Sequence, residues 1–302
     1  MAATVGIFAA ASLNGTVVPD LEDSSWTPGL VLRAPEQDGQ PTKQIIVDQA
    51  PSAMLKSSAL ATYLALNSSK FFTKGVALSS TGFAGYVPDS ATDAAKGTTG
   101  TKYAVANGIL VPESIEADQD SASITMRVHG RSSDGATAPV AITTAQALPA
   151  FSTSTVFALG RCEYNGTNIT WAQSIRIAMN LEVKRIKGDG SIYSSKLAVV
   201  AVRPAITLTI ADQELASTLT VLGTRISSAT HIHFRAFDAA ATRVATATAS
   251  HIQLSIAGTN GLVAPGDVRP NAADTALLDV TYYPIWDGTN EQVTVTTGVA
   301  YS

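Results

Sequence analysis

Residues 191–223, SIYSSKLAVVAVRPAITLTIADQELASTLTVLG, constrain the fold more than any other stretch. Ile206, Leu208 and Ile210 alternate with Thr207 and Thr209, which gives a strand one apolar and one polar face. Arg203-Pro204 stands just ahead; proline has no ladder donor, so it marks a strand start or a bend. The period then changes. After Asp212, a good N-cap, Leu215, Leu219 and Leu222 recur at helical spacing, and Gly223 follows as a C-cap. The expectation is a strand, a short amphipathic covering helix, and further strands.

The same reading extends along the second half. Residues 156–164 and 169–171 are apolar runs on either side of Asn165-Gly166, the strongest short-range hairpin signal. Residues 174–187 read as one long strand with Ile175, Ile177, Met179, Leu181 and Val183 on one face, ending at Asp189-Gly190. Strands are also expected at 231–237, 243–249, 251–256, 276–286 and 292–299, with a loop around Asn260, Pro265 and Pro270. In the first half, Met54, Leu55, Ala59, Tyr63 and Leu66 fit a helix over 50–66. Strands are expected at 30–33, 45–47, 71–83, 103–111 and 123–129, and a long loop over 86–102 with no apolar period. The domain boundary is expected within residues 132–150, which hold a Ser133-Asp134-Gly135 turn and two prolines, with a linker near 147–154. The resulting expectation is a mainly β protein, a sandwich or barrel with one short flanking helix per half. It divides into an extended N-terminal arm (1–43), a β-rich region with one helix (44–150) and a β-sandwich domain (151–302).

Charge narrows the function classes. Only 15% of the 302 residues are charged, against about a quarter in ordinary domains. Such a surface suits a subunit surrounded by copies of itself better than a dissolved monomer. The net charge of −4 and the absence of a basic run remove the footprint of a nucleic-acid binder. The N-terminal MAATVGIFAAASL lacks a basic n-region and is broken by Asn14-Gly15, and no span approaches the ~20 apolar residues of a membrane helix. A chain folded in a cytoplasm, without a cleaved signal and without a membrane partner, is expected.

Chemistry-bearing residues are sparse. His231 and His233 share a strand face, with His251 and Asp238 as companion ligands, but Arg235 follows on that face and opposes a metal. Glu113, Glu116, Asp118 and Asp120 form the densest acid cluster; it reads as a solvated loop, with glycosidase-type acid–base work or calcium binding as alternatives. The single cysteine, Cys162, reads as a small buried apolar residue. N-x-S/T triplets at Asn14, Asn67, Asn165 and Asn168 are uninformative in so Thr- and Ser-rich a chain. With only four histidines, His129 being the fourth, no catalytic, cofactor or metal residue is expected.

Several features in order carry a family likeness: the Asn165-Gly166-Thr167 hairpin, Asp189–Tyr193, the strand ending in Arg203-Pro204-Ala205-Ile206, the 212–223 helix, and the closing pair DVTYYPIWDG and QVTVTTG. Residues 156–302 resemble the core of a bacteriophage major tail tube protein. The resemblance implies a β-sandwich flanked by a helix, with copies forming rings that stack into a hollow tube around a DNA-conducting lumen. It implies as partners further copies of the chain, other phage tail proteins and DNA in transit, no cofactor, no enzymatic activity, and a place in the virion after assembly in the host cytoplasm. Residues 89–100 and the arm before Gln40 are then expected to contact neighbouring copies, and the lumen to be acidic or neutral. A capsid decoration or coat protein is the alternative within the structural class. A carbohydrate-binding or hydrolytic β-domain, using the acids with Trp26, Trp171 and Trp286, is the alternative outside it.

Overall fold

A computed structural model describes residues 8–33, 36–37, 40–41, 45–66, 71–79, 81–89, 98–150, 153–169, 171–211, 228–256, 261–270, 276–285 and 292–301. Strands dominate, as the alternation requires, in antiparallel sheets with two short helices. The largest sheet has nine strands. Its path runs Leu262–Pro270, Ala276–Tyr283, Ala205–Ile210, Ala172–Ala178, Asn107–Asp118, Ala122–Arg131, Ser52–Ser57 and Leu21–Thr27, with Val76–Leu78 pairing beside Asn107–Asp118. Two five-stranded sheets cover its apolar face. One contains Val140–Ala147, Thr99–Val105, Phe83–Pro88, Ala10–Leu13 and Thr16–Val17; the other Thr167–Ile169, Phe157–Tyr164, Thr230–Ala236, His251–Ile256 and Val293–Val299.

The twelve-residue strand Asn107–Asp118 ties the two halves of the chain together. Ala122–Arg131 lies along one side of it. On the other side Val76–Leu78 pairs with its beginning and Ala172–Ala178 with its end. A continuous ladder therefore crosses the expected division near residue 150, and one buried cluster runs from Phe8 to Val293. At one end Trp26 stacks on Phe83 at 5.8 Å, with Phe8 and Tyr103 around it. At the other, Tyr164 meets Tyr282 edge-on at 6.2 Å. The helices Leu60–Leu64 and Phe71–Lys74 fill the space between, against Ala122–Arg131 and Asn107–Asp118 respectively.

Several sequence expectations need correction. The supposed arm contributes Ala10–Leu13 and Leu21–Thr27 to two sheets and buries Phe8, Ala11, Val18 and Trp26. Residues 52–57 are a strand, with Ala53, Leu55 and Ser57 inward; only Leu60–Leu64 of the expected helix is helical. Phe71–Lys74 is a helix and not part of a strand, because both phenylalanines point into the core from a single turn. Of the expected loop over 86–102, residues 86–88 and 99–102 are strand, in Phe83–Pro88 paired with Thr99–Val105, and 90–97 lie outside the described residues. Val140–Ala147 is a strand within the region where the domain boundary was expected, Leu262–Pro270 is a strand where a loop was expected, and 243–249, expected as a strand, holds only an isolated bridge from Arg243 to Phe237 before a turn. The long strand over 174–187 breaks at Asn180, whose φ is +46°, and resumes as Glu182–Ile186 in a separate ribbon with Lys196–Ala201. Both described helices lie in the first half; the expected helix at 212–223 lies outside the described residues.

Candidate functional site

The sequence-derived candidates do not converge. His231 Nδ1 lies 2.6 Å from Ser255 Oγ, and buried His233 has its Nδ1 3.2 Å from Arg161 O. His251 is fully buried: Nδ1 accepts from Ala236 N–H at 3.1 Å, so Nε2 carries the proton donated to Ala245 O at 2.9 Å. Burial holds the His233 imidazole below its ordinary pKa. The Asp238 carboxylate caps its own turn through Ala240 N and Thr242 N. Each of these groups has a structural bond, and among the described residues no cluster of three or more His, Cys, Asp or Glu is arranged to hold a metal ion.

The acid cluster is not a loop. Glu113, Glu116 and Asp118 belong to strand Asn107–Asp118. A bulge between Pro112 and Ser114 turns Glu113 out to meet Arg127, and Glu116 pairs with Arg176 at 3.4 Å. Partial burial raises the Asp118 pKa, but bonds from Asp120 N and Ser121 N outweigh it and hold the carboxyl below its ordinary value. Cys162 is buried, and burial pushes its thiol up to about 12, which makes it inert. Trp26 is core, Trp171 is 59% exposed elsewhere, and Trp286 lies outside the described residues, so the aromatic–acid sugar site is not assembled by Trp26. Asn14 and Asn165 occupy tight hairpin turns with φ of +50° and +48°, each followed by a glycine at positive φ. Asn168 is exposed on Thr167–Ile169; Asn67 lies outside the described residues, as does 90–97 of the expected contact loop.

What stands out instead is the treatment of sheet edges. The nine-stranded sheet ends on Leu21–Thr27, which carries Glu22 and Asp23, and on Leu262–Pro270, which carries two prolines, Asp267 and Arg269. Two further edges, Thr16–Val17 and Thr167–Ile169, are very short. Charge, proline and shortness are the usual ways of blunting an edge. The two remaining edges have none of these. Val140–Ala147 (VAITTAQA) and Val293–Val299 (VTVTTGV) contain no charge and no proline, and no strand among the described residues pairs with their outer sides.

Two ribbons share this character. Leu30–Arg33 with Ile45–Gln49 leaves Leu30, Val31 and Leu32 each about half exposed. Glu182–Ile186 with Lys196–Ala201 exposes Ile186 and Val200, with Ile192 in the connection. The ribbons are fastened at their roots: Ser194 donates to both Asp48 oxygens, Lys187 to Val47 O, and Arg185 to Gly130 O and Pro51 O. Sequence reasoning placed strands at 30–33, 45–47 and 174–187 but read none of them as an exposed surface.

The outer face of the nine-stranded sheet is of a third kind. Ser123, Thr125, Ser174, Thr207, Thr209 and Thr281 give it short polar side chains around an open trough of about 510 Å³. Three of its bases are paired: Lys56 with Glu22 at 3.3 Å, Arg127 with Glu113, and Arg176 with Glu116. Asp118 and Asp279 also line the trough, Asp118 accepting from Ser121 N and Asp279 from Thr209 Oγ1. Among the described residues no helix is long and apolar enough to cross a membrane. No protein-family model matches the chain, and no curated protein matches it significantly.

Proposed function

We propose that this chain is a non-catalytic structural subunit that assembles into rings, and that the rings stack into a tube of the phage-tail kind. The observation that carries the reading is the pair of unblunted edges, Val140–Ala147 and Val293–Val299, where the other four outermost strands of the three large sheets are blunted among the described residues. The two edges belong to different sheets. Pairing one with the other on the next copy is a head-to-tail contact, which closes into a ring when the rotation allows. The half-exposed ribbons supply further apolar surface for neighbours. The family resemblance over residues 156–302 adds the DNA-conducting lumen and the virion.

The outer face of the nine-stranded sheet is the surface best suited to line such a lumen. DNA carries roughly one charge per 1.7 Å of axis, so a wall of unpaired bases would grip it through many phosphates. Here Lys56, Arg127 and Arg176 are each neutralised by an acid. Negative-stain electron microscopy of the purified chain at rising concentration tests the proposal. Rings or hollow filaments are expected. Discrete monomers at every concentration would reject it, and particles that bind only preformed shells would favour the coat-protein alternative.

A further inference from the structure

Lys and Arg together number only 20 in this chain, yet three arginines converge on one cleft of about 310 Å³. The cleft opens where Phe157–Tyr164 and Thr230–Ala236 meet the end of the nine-stranded sheet. Arg161 stands at the bulge between Leu159 and Cys162, an irregularity that re-aims a side chain. Arg235 comes from the neighbouring strand and Arg243 from the turn after it. Tyr301 closes one wall, its ring 4.6 Å from that of His233. Gly160 makes room for it: a Cβ there would stand 2.6 Å from the Tyr301 hydroxyl oxygen.

Two of these guanidinium groups are fixed by backbone carbonyls. Arg235 donates Nε–H to Val244 O at 2.8 Å, and no carboxylate forms an ion pair with it among the described residues. Arg243 donates to Gln119 O; its acid, Asp120, is 3.8 Å away with a side chain 97% exposed. Arg161 faces Glu163 at 3.6 Å. Among the described residues, the lining itself holds three guanidiniums and no carboxylate, in a chain of net charge −4. The side chains of Asn168 and Gln119 add neutral polar groups to the lining.

We propose that this cleft binds a phosphate group. A guanidinium fork matches phosphate and carboxylate alike, but one fork already satisfies the two oxygens of a carboxylate. Guanidiniums arriving from three separate elements suit a tetrahedral anion with oxygens on several sides. The cleft is wider than a bare phosphate and has Leu159 and Ile169 in its lining, so a phosphomonoester is a second source of the same chemistry. This binding does not depend on assembly into rings.

Isothermal titration of the full chain with inorganic phosphate, phenyl phosphate and acetate tests the assignment. Phosphate should bind and acetate should bind far more weakly. Arg235→Gln and Arg161→Gln should each weaken phosphate roughly tenfold or more, since each removes a charge-assisted bond. Lys74→Gln, on the remote helix Phe71–Lys74, should change nothing. Circular dichroism melting confirms that each variant is folded, and two arginine positions guard against one failing to fold. Tighter binding of phenyl phosphate assigns the site to an ester, and equal binding to free phosphate. No binding by the wild-type chain, acetate binding as tight as phosphate, or undiminished affinity in both arginine variants would overturn the proposal.

Discussion

Strands Ala122–Arg131 and Val140–Ala147 are separated by one turn and made of similar residues, yet their surroundings are opposite. The first has a partner on each side, Asn107–Asp118 and Ser52–Ser57, and buries Ile124, Met126 and Val128 completely. The second is hydrogen-bonded on one side only, and Ile142 at its centre is 63% exposed. The first holds the subunit together. The second contributes little to the subunit and leaves a row of backbone donors and acceptors for another chain. Folding and assembly therefore reside in different strands, and substitutions should separate them.

The largest effect belongs to the interior. Trp26 is 1% exposed and sits against Phe83, Phe8 and Tyr103. Trp26→Ala should cost about 3–5 kcal/mol in denaturant unfolding, and the loss of cooperative melting would be unsurprising. A loss below about 1 kcal/mol would mean that the first five-stranded sheet is not sealed against the nine-stranded sheet.

Next comes the junction between body and ribbon. Arg185 donates to Gly130 O and Pro51 O, two carbonyls of the body. Arg185→Ala should cost about 1–3 kcal/mol, because buried acceptors lose a charged donor. Hydrogen exchange should quicken in Glu182–Ile186 and Lys196–Ala201 before it quickens in Ala122–Arg131. Uniform quickening would show that ribbon and body unfold as one unit.

A smaller effect depends on pH. Burial, with Arg185 and Arg127 adding to it, lowers the His129 imidazole from 6.5 to about 4. Between those values the unfolded chain binds a proton that the folded chain does not, so stability falls as pH falls through that window. At about pH 5.5 the loss is up to roughly 1 kcal/mol. His129→Gln should flatten that slope, leaving a residue from His233, whose pKa burial also lowers. An unchanged slope in denaturant titrations between about pH 4.5 and 6.5 would place the titrating group elsewhere.

The contrast between the strands also explains what was legible in the sequence. Residues 123–129 announce themselves because Ile124, Met126 and Val128 alternate with polar neighbours, and Asn165-Gly166 because that pair favours two successive positive φ values. Residues 52–57 mislead because one inward position is Ser57, a buried hydroxyl that donates to Pro19 O and accepts from Ala59 N. With a serine in the alternation, the helical spacing of Met54, Leu55 and Ala59 competes. Val140–Ala147 buries no face, so it has no period at all. The arginine cleft is invisible for a different reason: Arg161, Arg235 and Arg243 are brought together by a bulge and a turn, neither of which leaves a spacing signal.

The smallest effect on folding should accompany a complete effect on assembly. Ile142 touches little of the core, so Ile142→Lys should change unfolding stability by no more than about 0.5 kcal/mol. A lysine in the middle of an edge is nonetheless what keeps edges of other proteins from pairing, since its charge would be trapped beside the incoming strand. The same change at Thr296, exposed on Val293–Val299, attacks the complementary edge. If the edges pair head to tail, either variant alone should stay monomeric in sedimentation. Mixing the two should yield a dimer and nothing longer, because each retains one working edge. Filaments formed by either variant alone would show that these edges are not where copies meet. Dimers formed by either variant alone would show that each edge pairs with its own counterpart rather than with the other, and monomers in the mixture would show that the two edges do not pair at all.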